Sequence, residues 1–169
     1  MTSGFLQARR SVTRIHEAEL LSPIPTAGRE CGDCTACCTV LAIVELQKPQ
    51  RRACDHLCRS GCGIYATRPA SCREFHCLWL RGALDADEAL RPDRLGVMFD
   101  YFVVASSGES HLIAIELWPG ALAGSLVQSL LAEMTQTRDV HLSYRDGRRS
   151  TLQLEATPNS SPSIPTIAP

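Results

Sequence analysis

The chain has 169 residues, of which 44% are hydrophobic and 21% are charged, and its formal net charge at pH 7 is −1. A charge so close to zero gives no electrostatic reason to expect a nucleic-acid or membrane-surface partner. No apolar run approaches the roughly 20 residues that a membrane-spanning helix needs. We therefore expect a globular protein with one domain or two small ones.

The first thirty residues show only weak patterning. They contain basic residues but no unbroken apolar stretch of the kind found in a secretory signal peptide. Residues 22–26 include two prolines and favour an extended linker. We therefore expect residues 1–30 to form a poorly ordered lead-in.

All nine cysteines are confined to residues 31–77. They are Cys31, Cys34, Cys37, Cys38, Cys54, Cys58, Cys62, Cys72 and Cys77. The first four have the spacing C-x2-C-x2-C-C, and two-residue gaps let neighbouring thiolates converge on one metal ion. If Cys34 begins a helix, Cys37 and Cys38 share its face. The confinement indicates that the thiols form one local site.

The later cysteines lead into a predicted helix that begins at Arg68-Pro69. Proline is tolerated at the first helical position, and the residue before a proline is kept out of the helical conformation. Cys72 then lies in the first turn, where unpaired backbone N–H groups and the helix dipole favour a thiolate. We expect Arg68 and Arg73 to offset the negative charge of the thiolates.

Three observations favour a thiolate metal site over disulfides. The cysteine count is odd, the adjacent pair Cys37-Cys38 is badly placed to bond to itself, and no secretory signal is seen. A set of buried structural cysteines is a further alternative, which the C-x2-C-x2-C-C clustering disfavours. Since free thiolates persist in a reducing compartment, we expect a cytoplasmic protein.

Non-cysteine residues extend the pattern. After the C-x2-C-x2-C-C group come C-x2-L, beginning at Cys54, and C-G-I-Y-x2-R-P-x2-C-R-x-F-x-C, beginning at Cys62. Residues 31–80 thereby resemble the bacterial zinc- or iron-chelating cysteine-cluster proteins, the CxxCxxCC or YkgJ-like family. The resemblance implies metal chelation, and Cys58 is additional to the family pattern. The ligands that it implies are Cys31, Cys34, Cys37, Cys38, Cys54, Cys62, Cys72 and Cys77.

Three functions fit these residues. The first is a protein that holds zinc or iron through thiolates, in a structural or chelating role. The second is an iron–sulfur redox protein, because cysteine-rich sites suit both kinds of centre, although the adjacent Cys38 departs from ferredoxin spacing. The third is a metal-dependent enzyme related to protein lysine N-methylases, since flagellin lysine N-methylase carries a similar cluster. We rank catalysis last because no acid or base is marked for it, and we expect His56 and His76 outside the ligand set.

The segment after the cysteines is expected to cover the cysteine cluster and to connect it to the rest of the chain. Four apolar residues should shield the cluster from water: Phe75, Leu78, Trp79 and Leu80. Residues 81–94 are charged and predict a linker helix that ends at Pro92.

Residues 95–156 predict a ββαββ lobe. Its predicted elements are strands over residues 96–105 and 111–118, an amphipathic helix over residues 121–136, and strands over residues 140–144 and 150–154. Asp146-Gly147 suits the tight turn of the second hairpin. We expect a small antiparallel sheet covered by one helix, with His111 and His141 as surface strand residues.

Residues 157–169 contain four prolines and three serines and predict a disordered tail. The whole chain is therefore predicted to be α+β. A small, irregular and partly helical cysteine-rich metal-binding lobe at residues 31–80 precedes the linker helix and the ββαββ antiparallel-sheet lobe. The second lobe is the expected surface for a protein partner.

Overall fold

The computed structural model describes residues 24–104 and 106–154, so most of the predicted lead-in and all of the predicted tail lie outside the described residues. The protein has the expected α+β class. Its helices and strands are α1 (Ala36–Val40), β1 (Leu57–Cys58), β2 (Gly61–Cys62), α2 (Ala70–Glu74), α3 (Pro92–Leu95), β3 (Val97–Val103), β4 (Ser110–Glu116), α4 (Ser125–Met134), β5 (Val140–Ser143) and β6 (Arg149–Leu152). No helix within the described ranges is long and apolar enough to cross a membrane.

The predicted ββαββ order is confirmed, and the four later strands form one sheet in the order β3-β4-β5-β6. The outer pairs β3/β4 and β5/β6 are antiparallel. The central pair β4/β5 is parallel, with Leu112 opposite Val140, so the prediction of an antiparallel sheet is wrong. The reason is α4, which carries the chain back to the end of the sheet where β4 began.

One face of this sheet packs against α4 and the segment that follows the last cysteine. Phe99 of β3, Leu130 and Met134 of α4, and Leu84 of that segment are almost completely buried in one core. The buried positions of α4 recur three and four residues apart, as expected for an amphipathic helix. The amphipathic pattern of residues 121–136 also places Leu126 on this face, but Leu126 is partly exposed.

The opposite face of the sheet is covered at one end by the cysteine-rich lobe. Ala36 and Val40 of α1 pack against Met98 of β3 and Ile115 of β4. Successive side chains of a strand point to opposite faces, so β3 contributes to both layers. Arg51 adds a polar contact between the lobes, since its guanidinium donates to the Ser143 hydroxyl at 2.6 Å. The sheet therefore lies between two layers.

The residues directly after Cys77 belong to the sheet core. The Leu78 N–H donates to the Phe99 carbonyl at 3.0 Å, which places this segment beside the edge of β3. Leu78, Trp79 and Leu80 are buried in that core, against which Cys31 and Cys77 also pack, and Leu80 lines a cavity together with Cys77. The expectation that these residues cover the cysteines is therefore met only in part. Among the predicted covering residues, Phe75 packs beside the cysteines.

Residues 81–94 form short turns instead of one linker helix. A 3-10 turn at Glu88–Leu90 begins at Asp87, whose carboxylate accepts a hydrogen bond from the Ala89 N–H at 2.9 Å. Pro92 begins α3, whereas the sequence analysis predicted that it ends a helix. Proline suits the first helical position because no intrahelical partner awaits its nitrogen there.

Candidate metal centre

The first cysteine group lies on a turn followed by α1. The Cys34 N–H donates to the Cys31 carbonyl at 2.9 Å, which closes the first C-x2-C turn. Helix α1 begins at Ala36, slightly later than predicted, and carries Cys37 and Cys38 on one turn. The local fold therefore places four sulfurs within a short stretch of chain.

Backbone hydrogen bonds join the second cysteine group to the first. The Cys54 N–H donates to the Cys38 carbonyl at 3.0 Å. The hairpin β1/β2 then pairs Leu57 with Cys62. Its turn requires Gly61, whose φ of 114° lies in the region that favours glycine. The hairpin returns the chain toward α1.

Cys72 lies in α2, as predicted. The Pro69 carbonyl accepts hydrogen bonds from the N–H groups of Cys72 and Arg73, both at 3.1 Å. The Glu45 carboxylate holds the start of this helix, since it accepts hydrogen bonds from the Ser71 N–H at 3.2 Å and the Ser71 hydroxyl at 2.8 Å. The short helix thus presents Cys72 from a fixed start.

These segments bring seven of the eight predicted ligands to the wall of one cavity: Cys31, Cys34, Cys37, Cys38, Cys54, Cys62 and Cys72. The eighth, Cys77, lines an adjoining cavity. Cys58 lines neither of these cavities and is exposed, with its sulfur 3.4 Å from the Ser60 hydroxyl. His56 is exposed and also lines neither, while His76 lines the adjoining cavity. All nine cysteines are free thiols.

Burial makes several of these thiols weak acids. It raises the pKa of Cys31, the pKa of Cys34 to about 11 and the pKa of Cys77 to about 12. Burial also raises the pKa of Cys72, with a further increase from Cys38, so the prediction of a ready thiolate at this helix start is wrong. A metal that binds here must displace protons from buried thiols.

The adjacent pair Cys37-Cys38 shares a sulfur–sulfur hydrogen bond. Donation from the Cys37 thiol lowers the pKa of Cys38 and raises that of Cys37, which burial raises further. Lys48 and Arg68 also lower the pKa of Cys38. Cys38 is therefore the more acidic thiol of this pair.

Two cations, Lys48 and Arg68, lie on the cavity wall, and the position of Lys48 was not predicted from the sequence. Lys48 is the only lysine of the chain, and it is 7% exposed. Its ammonium donates to the carbonyls of Leu41 and Pro49. Arg68 lies over the Tyr65 ring, 4.0 Å from the centroid. In the sequence, Lys48 is distinguished only as the single lysine, and that does not indicate where its side chain lies.

Arg73 does not have the position predicted for it. Its guanidinium donates to the Arg68 carbonyl at 2.5 Å, and it lines neither cysteine cavity. Its charge helps to lower the pKa of Glu45, after the hydrogen bonds that the Glu45 carboxylate accepts. Arg73 therefore supports the start of α2, and Arg68 is the arginine beside the thiols.

Arg91 fixes the first cysteine turn to the sheet lobe. Its guanidinium donates to Asp93 at 2.6 Å and to Asp33 at 2.7 Å. The hydrogen bond to Asp93, followed by the contact with Asp33, raises the pKa of Arg91. Asp93 also forms a hydrogen bond with the Cys34 thiol. Charged groups thus hold this turn beside α3.

The donor set fits a thiophilic metal, although the thiols do not form a ready coordination shell. Over the two described ranges, no group of three or more histidine, cysteine, aspartate and glutamate side chains is arranged to hold an ion. Thiolates are nevertheless the ligands that structural zinc and iron–sulfur centres share, and seven cysteines line one cavity together with two cations. A bound ion would have to draw several thiols together from the wall.

Comparison of the chain with protein-family models, with curated proteins and with solved structures finds no match. The comparisons therefore identify no family. The case for a function depends on the cysteine cavity and on the motif that forms it.

Proposed function

We propose that this protein holds zinc or iron through thiolates, in a structural or metal-chelating role. The observation that carries the proposal is the convergence of seven cysteines, from three separate segments of the chain, on one cavity. The resemblance of the motif to the zinc- or iron-chelating cysteine-cluster family supports the same function. The proposed ligands are Cys31, Cys34, Cys37, Cys38, Cys54, Cys62, Cys72 and Cys77.

Each part of the cavity wall has a role in this proposal. The thiolates bind the ion, and four of them on one divalent ion carry excess negative charge. Lys48 and Arg68 offset that charge from the wall. Leu41, Ile43 and Phe75 supply apolar surface that limits access of water to the sulfurs. A bound ion cross-links segments that bury little apolar surface of their own.

The proposed location and partners follow from the chemistry of the thiols and from the net charge. Thiols remain free for metal binding in a reducing compartment, so we propose a cytoplasmic location. The metal ion is the ligand of the cysteine cavity, and the sheet lobe offers a surface for a protein partner. We propose neither a nucleic-acid nor a membrane partner, since the net charge is −1.

An iron–sulfur redox protein is the second candidate. The observation that favours it is the apolar character of the cavity wall, which includes Leu41, Ile43, Leu46, Ile64 and Phe75. Solvent exposure, net charge and hydrogen bonds to sulfur tune the reduction potential of such a centre. The same ligands serve both candidates, so the metal itself distinguishes them.

The test is to purify the full-length protein without oxygen and measure its metal content and visible absorption. Stoichiometric zinc in a colourless protein supports the structural or chelating role. Stoichiometric iron without sulfide supports a chelating iron site, and iron with acid-labile sulfide in a brown protein selects the redox candidate. Protein that contains no stoichiometric metal, and binds neither zinc nor iron when these are added under reducing conditions, contradicts the proposal.

A further inference from the structure

Two histidines from neighbouring strands meet on the sheet. His111 of β4 and His141 of β5 lie on adjacent strands, with His141 opposite Ile113 in the parallel register. The His111 Nδ1 and His141 Nε2 atoms are 3.2 Å apart. Neither histidine lines the cysteine cavity. The pair therefore forms a separate cluster, which the proposed function does not use.

The outer nitrogen of each ring has its own partner. The His141 Nδ1 atom lies 2.9 Å from the Thr151 hydroxyl, and the His111 Nε2 atom lies 3.9 Å from a carboxylate oxygen of Glu109. The Thr151 hydroxyl can accept a hydrogen bond from the ring that it faces, and the Glu109 carboxylate favours an N–H on the nitrogen that it faces. When the outer nitrogens carry the protons, the two inner nitrogens present lone pairs to each other. A cation bound between the two inner nitrogens removes the repulsion between their lone pairs.

The separation of the inner nitrogens suits two ligands of one ion. Imidazole nitrogens bind zinc at about 2.0–2.1 Å, so a 3.2 Å separation corresponds to a nitrogen–metal–nitrogen angle of about 100°. That angle lies between the values of octahedral and tetrahedral coordination. Ligating histidines also characteristically donate their other ring nitrogen to an oxygen acceptor, as these outer partners allow.

The surroundings keep the rings in place and leave room for water. Phe102 stacks on His111, with ring centroids 5.3 Å apart and an interplanar angle of 20°. The same phenyl ring is tilted against His141 at 5.5 Å. His141 and Thr151 line a groove on this face of the sheet, which gives solvent access to the pair.

We propose that His111 and His141 are the two protein ligands of a second site, for a divalent transition-metal ion such as zinc. The Thr151 hydroxyl positions the His141 ring by accepting a hydrogen bond from its outer nitrogen, and the Glu109 carboxylate faces the outer nitrogen of His111. The described residues supply no third protein ligand, so water completes the coordination. A hydrogen bond in which the two rings share a proton is the competing arrangement. The site is independent of the cysteine cavity, and the proposal does not require the cavity to bind metal.

The test is titration of the full-length protein, with its purified metal content measured beforehand, by zinc chloride. We expect wild type to bind one more zinc per chain than His111→Ala or His141→Ala, whatever the cysteines hold. His56→Ala, which removes an exposed histidine, is the matched control and should bind as wild type does. In long-range ¹H–¹⁵N spectra of wild type, zinc should shift the His111 Nδ1 and His141 Nε2 resonances.

A positioning variant covers the case in which an alanine variant fails to fold. Thr151→Val removes the hydroxyl that faces His141 Nδ1 but leaves both ligands. We expect its affinity for the additional zinc to fall by about 10-fold or more. Equal zinc stoichiometry in wild type and the histidine variants, or unchanged ring-nitrogen resonances on addition of zinc, would overturn the proposal in favour of a shared proton.

Discussion

The two lobes of this protein differ in how much regular structure and hydrophobic burial stabilise them. The sheet lobe has strands of up to seven residues and one core of nineteen buried hydrophobic residues. In the cysteine-rich lobe the longest helix has five residues and the strands have two. Its buried hydrophobic residues between residues 24 and 77 are Ala36, Val40 and Ile43. Hydrophobic burial can stabilise the first lobe, while the second lacks enough of it to be stable alone.

That difference assigns a structural consequence to the proposed ion. The cysteine-rich lobe docks on the sheet through Met98 and Ile115, and through the ion pair between Arg91 and Asp33. Docking orders one side of the lobe. The cavity on the other side is surrounded by loops, and a bound ion would hold those loops together, so that part of the binding energy appears as folding energy.

Metal removal should have the largest effect, and it should be confined to one lobe. A strong chelator should speed amide hydrogen exchange across residues 31–77, because structural zinc sites contribute about 10 kcal/mol or more to folding. Amides of β3, β4 and β5 should keep their protection, since none of the nineteen buried residues of their core is a proposed ligand. Hydrogen exchange followed by mass spectrometry measures both lobes in one sample. Equal protection with and without chelator would show that the cysteine-rich lobe is ordered without metal.

A core substitution tests whether hydrophobic burial stabilises the sheet lobe. Phe99→Ala should lower the free energy of unfolding by about 3–5 kcal/mol, because Phe99 is 2% exposed in the sheet core. Phe102→Ala removes the same side chain from the same strand, but Phe102 is 41% exposed, and we expect a loss of about 1 kcal/mol or less. Chemical denaturation gives both values. A similar loss in the two variants would contradict the position of the core.

The boundary between the lobes should make stability depend on pH through Asp100. This carboxyl group is 15% exposed, and burial raises its pKa from 3.8 to about 6, a shift that Arg81 at 3.8 Å partly opposes. Because the folded-state pKa is the higher one, the stabilisation is complete below about pH 4 and is lost as the pH rises through 6. The shift corresponds to about 3 kcal/mol.

The measurement for Asp100 is denaturant unfolding between pH 4 and pH 7. The stability of wild type relative to Asp100→Asn should fall by up to about 3 kcal/mol over that range. Asp55→Asn changes an exposed carboxylate and should leave the pH dependence of wild type unaltered. A constant difference between wild type and Asp100→Asn would show that Asp100 has an ordinary pKa.

A smaller effect should distinguish a cation on the cavity wall from a cation outside it. Lys48→Met removes a buried positive charge from the cavity wall and should weaken metal retention against a competing chelator by about 10-fold. Arg73→Met removes a positive charge that lies outside both cavities, so we expect a smaller loss, limited to the support that Arg73 gives to the start of α2. Chelator-competition curves measure the difference. Loss of metal in Arg73→Met alone would restore the role that the sequence predicted for Arg73.

Sequence reasoning identified the elements better than their arrangement. Apolar runs locate β3 and β4 to within a few residues, and a helical apolar period locates α4. The Asp146-Gly147 turn locates the four-residue strands β5 and β6. The parallel β4/β5 pair depends on where the chain re-enters the sheet after α4. No local pattern in either strand indicates whether the pair is parallel or antiparallel. The helical connection between the two strands does favour a parallel pair.

The candidate site shows the same limit. Spacing within the cysteine motifs predicts that the thiols lie together, and the family resemblance implies that Cys58 is separate from them. The charge of Arg68 beside the thiols was predicted. The charge of Lys48 was not, because Lys48 follows an apolar segment and reaches the cavity through a backbone turn. The raised pKa of Cys72 was missed because it arises mainly from burial, and burial of a single thiol cannot be inferred from sequence.

The most direct test of the account compares the metal content of three full-length proteins purified without oxygen: wild type, Cys37→Ser and Cys58→Ser. Cys37 lines the cavity and Cys58 is exposed outside it, yet the chemical change is identical. Because a hydroxyl is a poor substitute for a soft thiolate, we expect Cys37→Ser to lose most of its metal and Cys58→Ser to match wild type. Equal metal content in Cys37→Ser and wild type, or equal loss in both variants, would contradict the assignment of the cavity as the metal centre.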